Sequence, residues 1–227
     1  MPGTAGGQRR GGAASASVLL SSPTLDDPLD REASKRALRS RIRAERRLRT
    51  PAEREVAAER LTEVLLELPE VAWSGCVAAY ASTGGEPGTA PLRAALRRFG
   101  VRVLLPVVLA DGVLDWAADD GELQPGGGPG GPEPGGPRLG VAAIRQAGVI
   151  LAPALAVDTL GNRLGQGGGY YDRALQLVDP GVPVLALVHE GEVLDAAVEP
   201  VPVGAHDLPV DAAVTPQRCL RLPNGRR

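Results

Sequence analysis

Three stretches of this chain are apolar at nearly every position: "VRVLLPVV" (101–108), "GVILAPALAVD" (148–158) and "PVLALVH" (183–189). A strand with one face in water alternates polar and apolar residues. A strand that does not alternate is buried on both faces, which is the situation of a parallel sheet covered by helices on each side. "GCVAAYA" (75–81), "GVLDWAA" (112–118) and the short "VDAAVT" (210–215) extend the set. Stretches of helical spacing lie between several of these strands. The pattern predicts one α/β domain, with a mainly parallel sheet flanked by helices on both faces, a three-layer, Rossmann-like arrangement. No internal repeat is present.

The helices announce themselves by their ends. Ala37, Leu38, Ile42 and Leu48 recur at roughly helical spacing within 28–49. In "TPAEREVAAERLTEVLLEL", Thr50 is placed to cap, Pro51 falls at the first helical position, and Glu53 completes a capping box. Val56, Leu61, Val64, Leu65 and Leu68 are its predicted buried stripe. "TAPLRAALRRFG" is a helix expected to be capped by Thr89 and stopped by Gly100. Residues 1–27 are rich in Gly, Ala and Ser without periodicity and are expected to be a disordered extension. "GELQPGGGPGGPEPGGPRL" (121–139) reads as a flexible Gly/Pro insertion within the domain at 28–217, and 218–227 as a C-terminal tail.

At 227 residues, with 25 basic against 27 acidic side chains, the chain is one near-neutral domain. The charge is uneven, because 35–49 carries eight basic residues and one acid. Cys76 and Cys219 are far apart and match no disulfide or zinc spacing, which fits a reducing cytoplasm. No run approaches the length of about 18 apolar residues that crosses a membrane, and no apolar stretch of signal-peptide length is seen. Trp73 and Trp116 are expected in the core or a pocket wall. His189 is expected to be a satisfied histidine at a strand end, and His206 to be solvated.

The segment "RLGQGGGYYDRAL" (163–175) raises the functional question. It follows a strand and opens a helix, where α/β folds place anion sites. The dinucleotide fingerprint fails at Tyr170, and the P-loop pattern fails for lack of Lys-Ser or Lys-Thr. Gly165, Gly167, Gly168 and Gly169 nevertheless permit positive φ and let backbone N–H groups converge on an anion. Arg163 and Arg173 bracket the loop with charge suited to phosphate. Asp172 is a carboxylate suited to magnesium. A plain glycine-rich surface turn is the competing reading.

The whole stretch "LAPALAVDTLGNRLGQGGGYYDRAL" resembles the signature of the 5-formyltetrahydrofolate cyclo-ligase family, also called 5,10-methenyltetrahydrofolate synthetase. Other landmarks follow the family's order. "KRALR" (35–39) resembles its ATP-contacting Lys–x–x–Leu–Arg element. "YASTGGEPGT" (80–89) resembles a segment whose glutamate, here Glu86, contacts the folate. "AHDLPVDAAVTP" (205–216) resembles the C-terminal element whose aspartate, here Asp207, is a second magnesium-associated carboxylate. The likeness spans about 34–216. The family's Gly–Ile–x–Glu–Pro segment is reduced to "LGVAAIR", the loop carries Gln166 where an aromatic or basic residue is common, and Val157 stands for the aromatic of a Phe-Asp pair.

The resemblance implies ATP-dependent conversion of 5-formyltetrahydrofolate, with or without a polyglutamate tail, to 5,10-methenyltetrahydrofolate. ADP and phosphate leave after phosphorylation of the formyl oxygen and ring closure by N10. It implies ATP contacts from Lys35, Arg36, Ala37, Leu38 and Arg39, and from Arg163, Leu164, Gly165, Gln166, Gly167, Gly168, Gly169, Tyr170 and Tyr171. It implies folate contacts from Glu86 and residues 166–170, magnesium at Asp172 and Asp207, and direct roles in the reaction for Arg163 and Tyr170, without a covalent enzyme intermediate. A monomeric cytoplasmic enzyme with no nucleic-acid or membrane partner is the expectation. Two alternatives remain: a catalytically weakened folate- or nucleotide-binding homologue, and an RNA-binding protein using the basic helix 35–49, which lacks the interleaved aromatics that stack bases.

Overall fold

The apolar stretches form strands whose side chains alternate between two buried faces. The computed structural model describes residues 3, 28–126, 131–223 and 225; the expected N-terminal extension lies almost wholly outside them. The helices are α1 (Pro28–Arg47), α2 (Pro51–Leu66), α3 (Pro69–Ala72), α4 (Ala90–Arg98) and α5 (Tyr170–Leu175). The first strands are β1 (Cys76–Ala78), β2 (Arg102–Val108), β3 (Leu114–Ala118), β4 (Leu123–Gln124), β5 (Glu133–Pro134) and β6 (Val149–Pro153). They are followed by β7 (Ala156–Asp158), β8 (Arg163–Leu164), β9 (Val184–Leu187), β10 (Val193–Leu194), β11 (Ala212–Val214) and β12 (Cys219–Arg221).

The main sheet has seven strands in the order β12-β11-β9-β6-β1-β2-β3. The five inner strands are mutually parallel, and β3 and β12 are antiparallel edges. Along β6, Val149 and Leu151 pack with Leu61, Leu65, Leu92 and Leu96 of α2 and α4. Ile150 and Ala152 pack on the opposite side with Ile144, Tyr171, Ala174 and Leu175. The same two-residue alternation runs through Val103, Leu104 and Leu105 of β2. Each such aliphatic side chain contributes roughly 1.5–3 kcal/mol by leaving water. A third cluster joins Leu38 and Ile42 of α1 to Leu155, Ala156 and Leu164 around the small sheet β10-β7-β8.

Several expectations are corrected. The run 148–158 is not one strand: β6 ends at Pro153, the Ala154 carbonyl accepts from Arg46, and Leu155 N–H turns to the Leu164 carbonyl in the small sheet. Residues 219–221, read as tail, close the sheet as β12. Thr89 does not cap α4; its buried hydroxyl donates to the Tyr80 carbonyl at 2.5 Å. Val56 faces solvent rather than the core, and Trp73 is 87 % exposed, whereas Trp116 is fully buried. The Gly/Pro tract contributes an ordered ribbon, with β4 antiparallel to β5 and the buried Glu133 accepting from Val108 N–H at 3.0 Å. A Glu–Pro pair, Glu133–Pro134, forms the second strand of this ribbon. The capping box at Thr50 and Glu53 forms as expected, and Gly100 leaves α4 with φ +76°.

One buried ion pair fixes α1 against the sheet. Arg46 grips Glu192 with Nε to Oε1 at 2.8 Å and Nη2 to Oε2 at 2.7 Å, while Nη2 also donates to the Ala154 carbonyl. Glu192 Oε2 accepts from His189 N–H, and His189 Nε2 meets the Gly85 carbonyl at 3.1 Å. Replacing Arg46 with Met leaves the buried Glu192 charge with only the longer Arg49 pair at 3.8 Å, so urea denaturation should show a loss of roughly 3–5 kcal/mol.

Burial holds the His189 imidazole below its ordinary pKa of 6.5, opposed by Glu192 and the Gly85 carbonyl. The unfolded chain therefore binds the proton more readily than the folded one, and stability falls as pH drops below that ordinary value. Unfolding titrations at about pH 7.5 and about pH 5.5 should show this loss, and His189→Gln should flatten it.

Candidate functional site

The chain order of the main sheet reverses between β1 and β6: β2 and β3 lie beyond β1 on one side, and β9, β11 and β12 beyond β6 on the other. In an open parallel sheet, ligands bind outside the carboxyl ends of the strands at such a reversal. A cleft of about 610 Å³ occupies this place. Its floor comes from Tyr80, Ala81 and Thr83 after β1 and from Pro153 at the end of β6. Pro106, Val108 and Leu114 of the β2–β3 hairpin make an apolar wall, and α1 and the 163–172 loop supply the cationic lining.

The loop is delivered by a tight hairpin. Asp158, fully buried, accepts from Leu160 N–H and Asn162 N–H through Oδ1, and from Asn162 Nδ2 and Val201 N–H through Oδ2. This turn aims Arg163, 6 % exposed, at the cleft base. Arg163 donates to the Pro153 carbonyl at 3.2 Å and to Asp172 Oδ1 at 2.6 Å. Its Nε has no partner.

The glycines have local reasons as well. Gly167 and Gly169 have φ of +107° and +65°, which an L side chain resists. A Cβ on Gly168 would stand 2.7 Å from the Tyr170 ring. Arg173 donates to the carbonyls of Gly168 and Gly112 and lies 5.5 Å from the Tyr170 ring centre, so it clasps the loop to the β2–β3 turn. Its guanidinium is thereby committed to the scaffold rather than left as a second phosphate hand.

On α1, Lys35 and Arg39 face the cleft, one turn apart. Lys35 pairs with Asp207, and Arg39 donates to the Gly165 carbonyl at 3.1 Å and to Glu32 at 2.9 Å. Arg43, one turn further, holds Gln166 through both its carbonyl and its side chain. Gln166 Nε2 in turn reaches Glu86 Oε1 at 3.3 Å, so the two sides of the cleft meet through these residues. Glu86 is oriented by Thr83 N–H at 2.9 Å. Its loop is pressed against the helices, since a Cβ on Gly85 would stand 2.7 Å from Arg46 Cβ and one on Gly88 would stand 2.6 Å from Ala58 Cβ.

Of the sequence-identified residues, Lys35, Arg39, Glu86, all of 163–172 and Asp207 line this one cleft. The other members of 35–39 point elsewhere. Leu38 is buried in the core beneath α1, Ala37 is exposed, and Arg36 lines an adjoining depression with Ser40, Arg43, Arg47 and Gln166. Glu32 and Arg43 escaped sequence reading although, at three and four residues from Lys35 and Arg39, they share the same helix face. The apolar wall carried no signal of its own, because its residues belong to uniformly buried strands.

Asp172 and Asp207 are each held by a cation, Arg163 and Lys35 respectively. Among the described residues no group of three or more His, Cys, Asp or Glu side chains is placed to cage a metal. Two carboxylates in a cationic cleft suit a magnesium ion that brings phosphate oxygens and water as its remaining ligands. Tyr171 is buried with its hydroxyl unpaired, and burial pushes its pKa well up, with Glu86 adding to the rise. No helix among the described residues is long and apolar enough to cross a membrane.

Comparison with known proteins agrees with this arrangement. The model of the 5-formyltetrahydrofolate cyclo-ligase family matches residues 31–216. A 5-formyltetrahydrofolate cyclo-ligase of Mycolicibacterium smegmatis is 38 % identical over 194 residues, covering 82 % of this chain and 95 % of its own. One of Escherichia coli K12 is 30 % identical over 185 residues, covering 78 % and 97 %. The NMR structure of Aquifex aeolicus 5,10-methenyltetrahydrofolate synthetase superposes with a TM-score of 0.71 at 30 % identity, covering 85 % of this chain and 95 % of that one. With the match spanning the whole α/β domain and every wall of the cleft, the chain belongs to the 5-formyltetrahydrofolate cyclo-ligase family.

Proposed function

We propose that this protein is an ATP-dependent ligase that converts 5-formyltetrahydrofolate to 5,10-methenyltetrahydrofolate, releasing ADP and phosphate. The observation that carries the reading is the mixed lining of the cleft at the sheet reversal: cationic residues with a glycine loop, and the apolar Pro106, Val108 and Leu114, border one cavity of about 610 Å³. A triphosphate needs the first and a flat heterocycle needs the second.

The chemistry to be done is removal of an oxygen. The formyl oxygen of an amide is a poor leaving group as oxide or hydroxide. Attack of that oxygen on the γ-phosphorus forms an O–P bond and breaks the bond to the β–γ bridging oxygen, releasing ADP. The N10 lone pair then adds to the activated formyl carbon, the C–O bond breaks, and phosphate departs with the proton that N10 gives up. Positioning and charge neutralisation are the protein's contribution, and no covalent enzyme intermediate is needed. Lys35, Arg39, Arg163 and the N–H groups of 165–169 hold the phosphates, and Tyr170 and Glu86 face the folate. Asp172 and Asp207 would hold magnesium, which neutralises charge on the transferring phosphoryl group when bound. The outward arginines Arg36, Arg43 and Arg47 suit the carboxylates of a folate glutamate tail where it leaves the cleft.

The direct test mixes the full chain with 5-formyltetrahydrofolate and magnesium ATP and follows the absorbance of the methenyl product. Product formation is expected; binding of both ligands without turnover would instead identify a weakened homologue. Two variants probe the cleft. Gly168→Ala should drive its Cβ against the Tyr170 ring and lower kcat/KM by roughly 10- to 100-fold with little loss of stability. Gly85→Ala should push the Glu86 loop off α1, raising the folate KM more than the ATP KM in steady-state assays.

A further inference from the structure

Among the described residues, Arg46, Trp116, Arg163 and Tyr171 each carry a buried side-chain polar atom without a hydrogen-bond partner. Two of these residues, Arg163 and Tyr171, line the cleft. The other guanidinium nitrogens of Arg163 are committed to Pro153 and Asp172. The hydroxyl is the one polar atom of the Tyr171 side chain, and the residue is only 9 % exposed. A buried donor with no acceptor is costly to keep, by the full desolvation of the group. Removing the hydroxyl would relieve that cost at once, since Phe fills the same space among Leu104, Leu114 and Trp116.

The position of the hydroxyl indicates what it serves. The Tyr171 ring belongs to the same apolar cluster as Leu114, which with Pro106 and Val108 makes the apolar wall. Lys35, Arg39, Glu86 and the glycines line the same cleft as Tyr171. The Glu86 charge adds to the rise in the pKa of the Tyr171 hydroxyl. The cleft therefore offers an acceptor, Glu86, and a donor, Tyr171. That pair complements a flat heterocycle with N–H groups next to a ring carbonyl, as in the lactam edge of a pterin.

We propose that the Tyr171 hydroxyl is a substrate-binding donor, held unpaired in the empty protein, whose acceptor is the ring carbonyl oxygen of the bound folate. The proposal rests on the folate reading above and assigns a contact within it. It also accounts for the second tyrosine of the Tyr170–Tyr171 pair, whose ring is turned into the core while Tyr170 stacks with Arg173.

The test compares wild type with Tyr171→Phe in the full chain, using thermal melting without ligand and calorimetric titration with 5-formyltetrahydrofolate, unsubstituted tetrahydrofolate and ATP. Wild-type binding of the folates establishes the underlying reading; its absence would sink that reading and this proposal together. Given wild-type binding, the expected result is an apo melting temperature equal to or above wild type. Affinity for both folates should fall by roughly 10- to 100-fold, with ATP affinity unchanged. A merely structural tyrosine would lower the melting temperature or leave all affinities alone, and either result overturns the assignment. Loss of ATP affinity alone would give the hydroxyl a phosphate acceptor. Loss confined to the formylated folate would move the acceptor to the formyl oxygen. Each of these also overturns the ring-carbonyl contact.

Discussion

The pairing of Arg46 with Glu192 decides where everything at the cleft can be. Taking two ions out of water costs several kcal/mol each, so such a pair is a poor source of stability unless its geometry is excellent. Here the two parallel hydrogen bonds, the Ala154 carbonyl and the His189 N–H supply that geometry. What the pair contributes is position. It joins α1, the crossing from β6 to β7 and the segment after β9 at one point. Arg39 and Lys35 lie two and three helical turns upstream of Arg46, on the same side of α1. Anchoring Arg46 therefore sets the azimuth and height of both cleft cations.

The parts of this molecule that were readable from residues alone are those governed by local or periodic rules. Uniform burial marks the parallel strands, the Thr50–Glu53 box marks the start of α2, and the glycine loop marks the site. What was not readable depends on partners distant in the chain. Thr89 looks like a cap until Tyr80 takes its hydroxyl, and residues 148–158 look continuous until Arg46 and Leu164 pull Ala154 and Leu155 out of the sheet. The strand at 219–221 is too short to carry a pattern, and Glu133–Pro134 is hidden in a tract whose composition argues against any pairing. Within "KRALR", helical spacing alone separates Lys35 and Arg39 from the buried Leu38, but only the packing shows which face is inward.

The loop glycines serve two demands at once. Two of them take backbone conformations that other residues resist, and a third leaves room for the Tyr170 ring. Arg173 then ties the loop to the β2–β3 turn, so the glycine-rich segment is braced from outside rather than by its own side chains. The β2–β3 hairpin and the glycine loop are thereby held to one another.

The pairing of Lys35 with Asp207 and of Arg163 with Asp172 carries a last consequence. The cleft brings its own counterions, so it is close to charge-balanced while empty. On the proposed reading, a triphosphate entering it would exchange a carboxylate partner for a phosphate one and free the carboxylate for a divalent cation, so that the two would be taken up by one ion exchange.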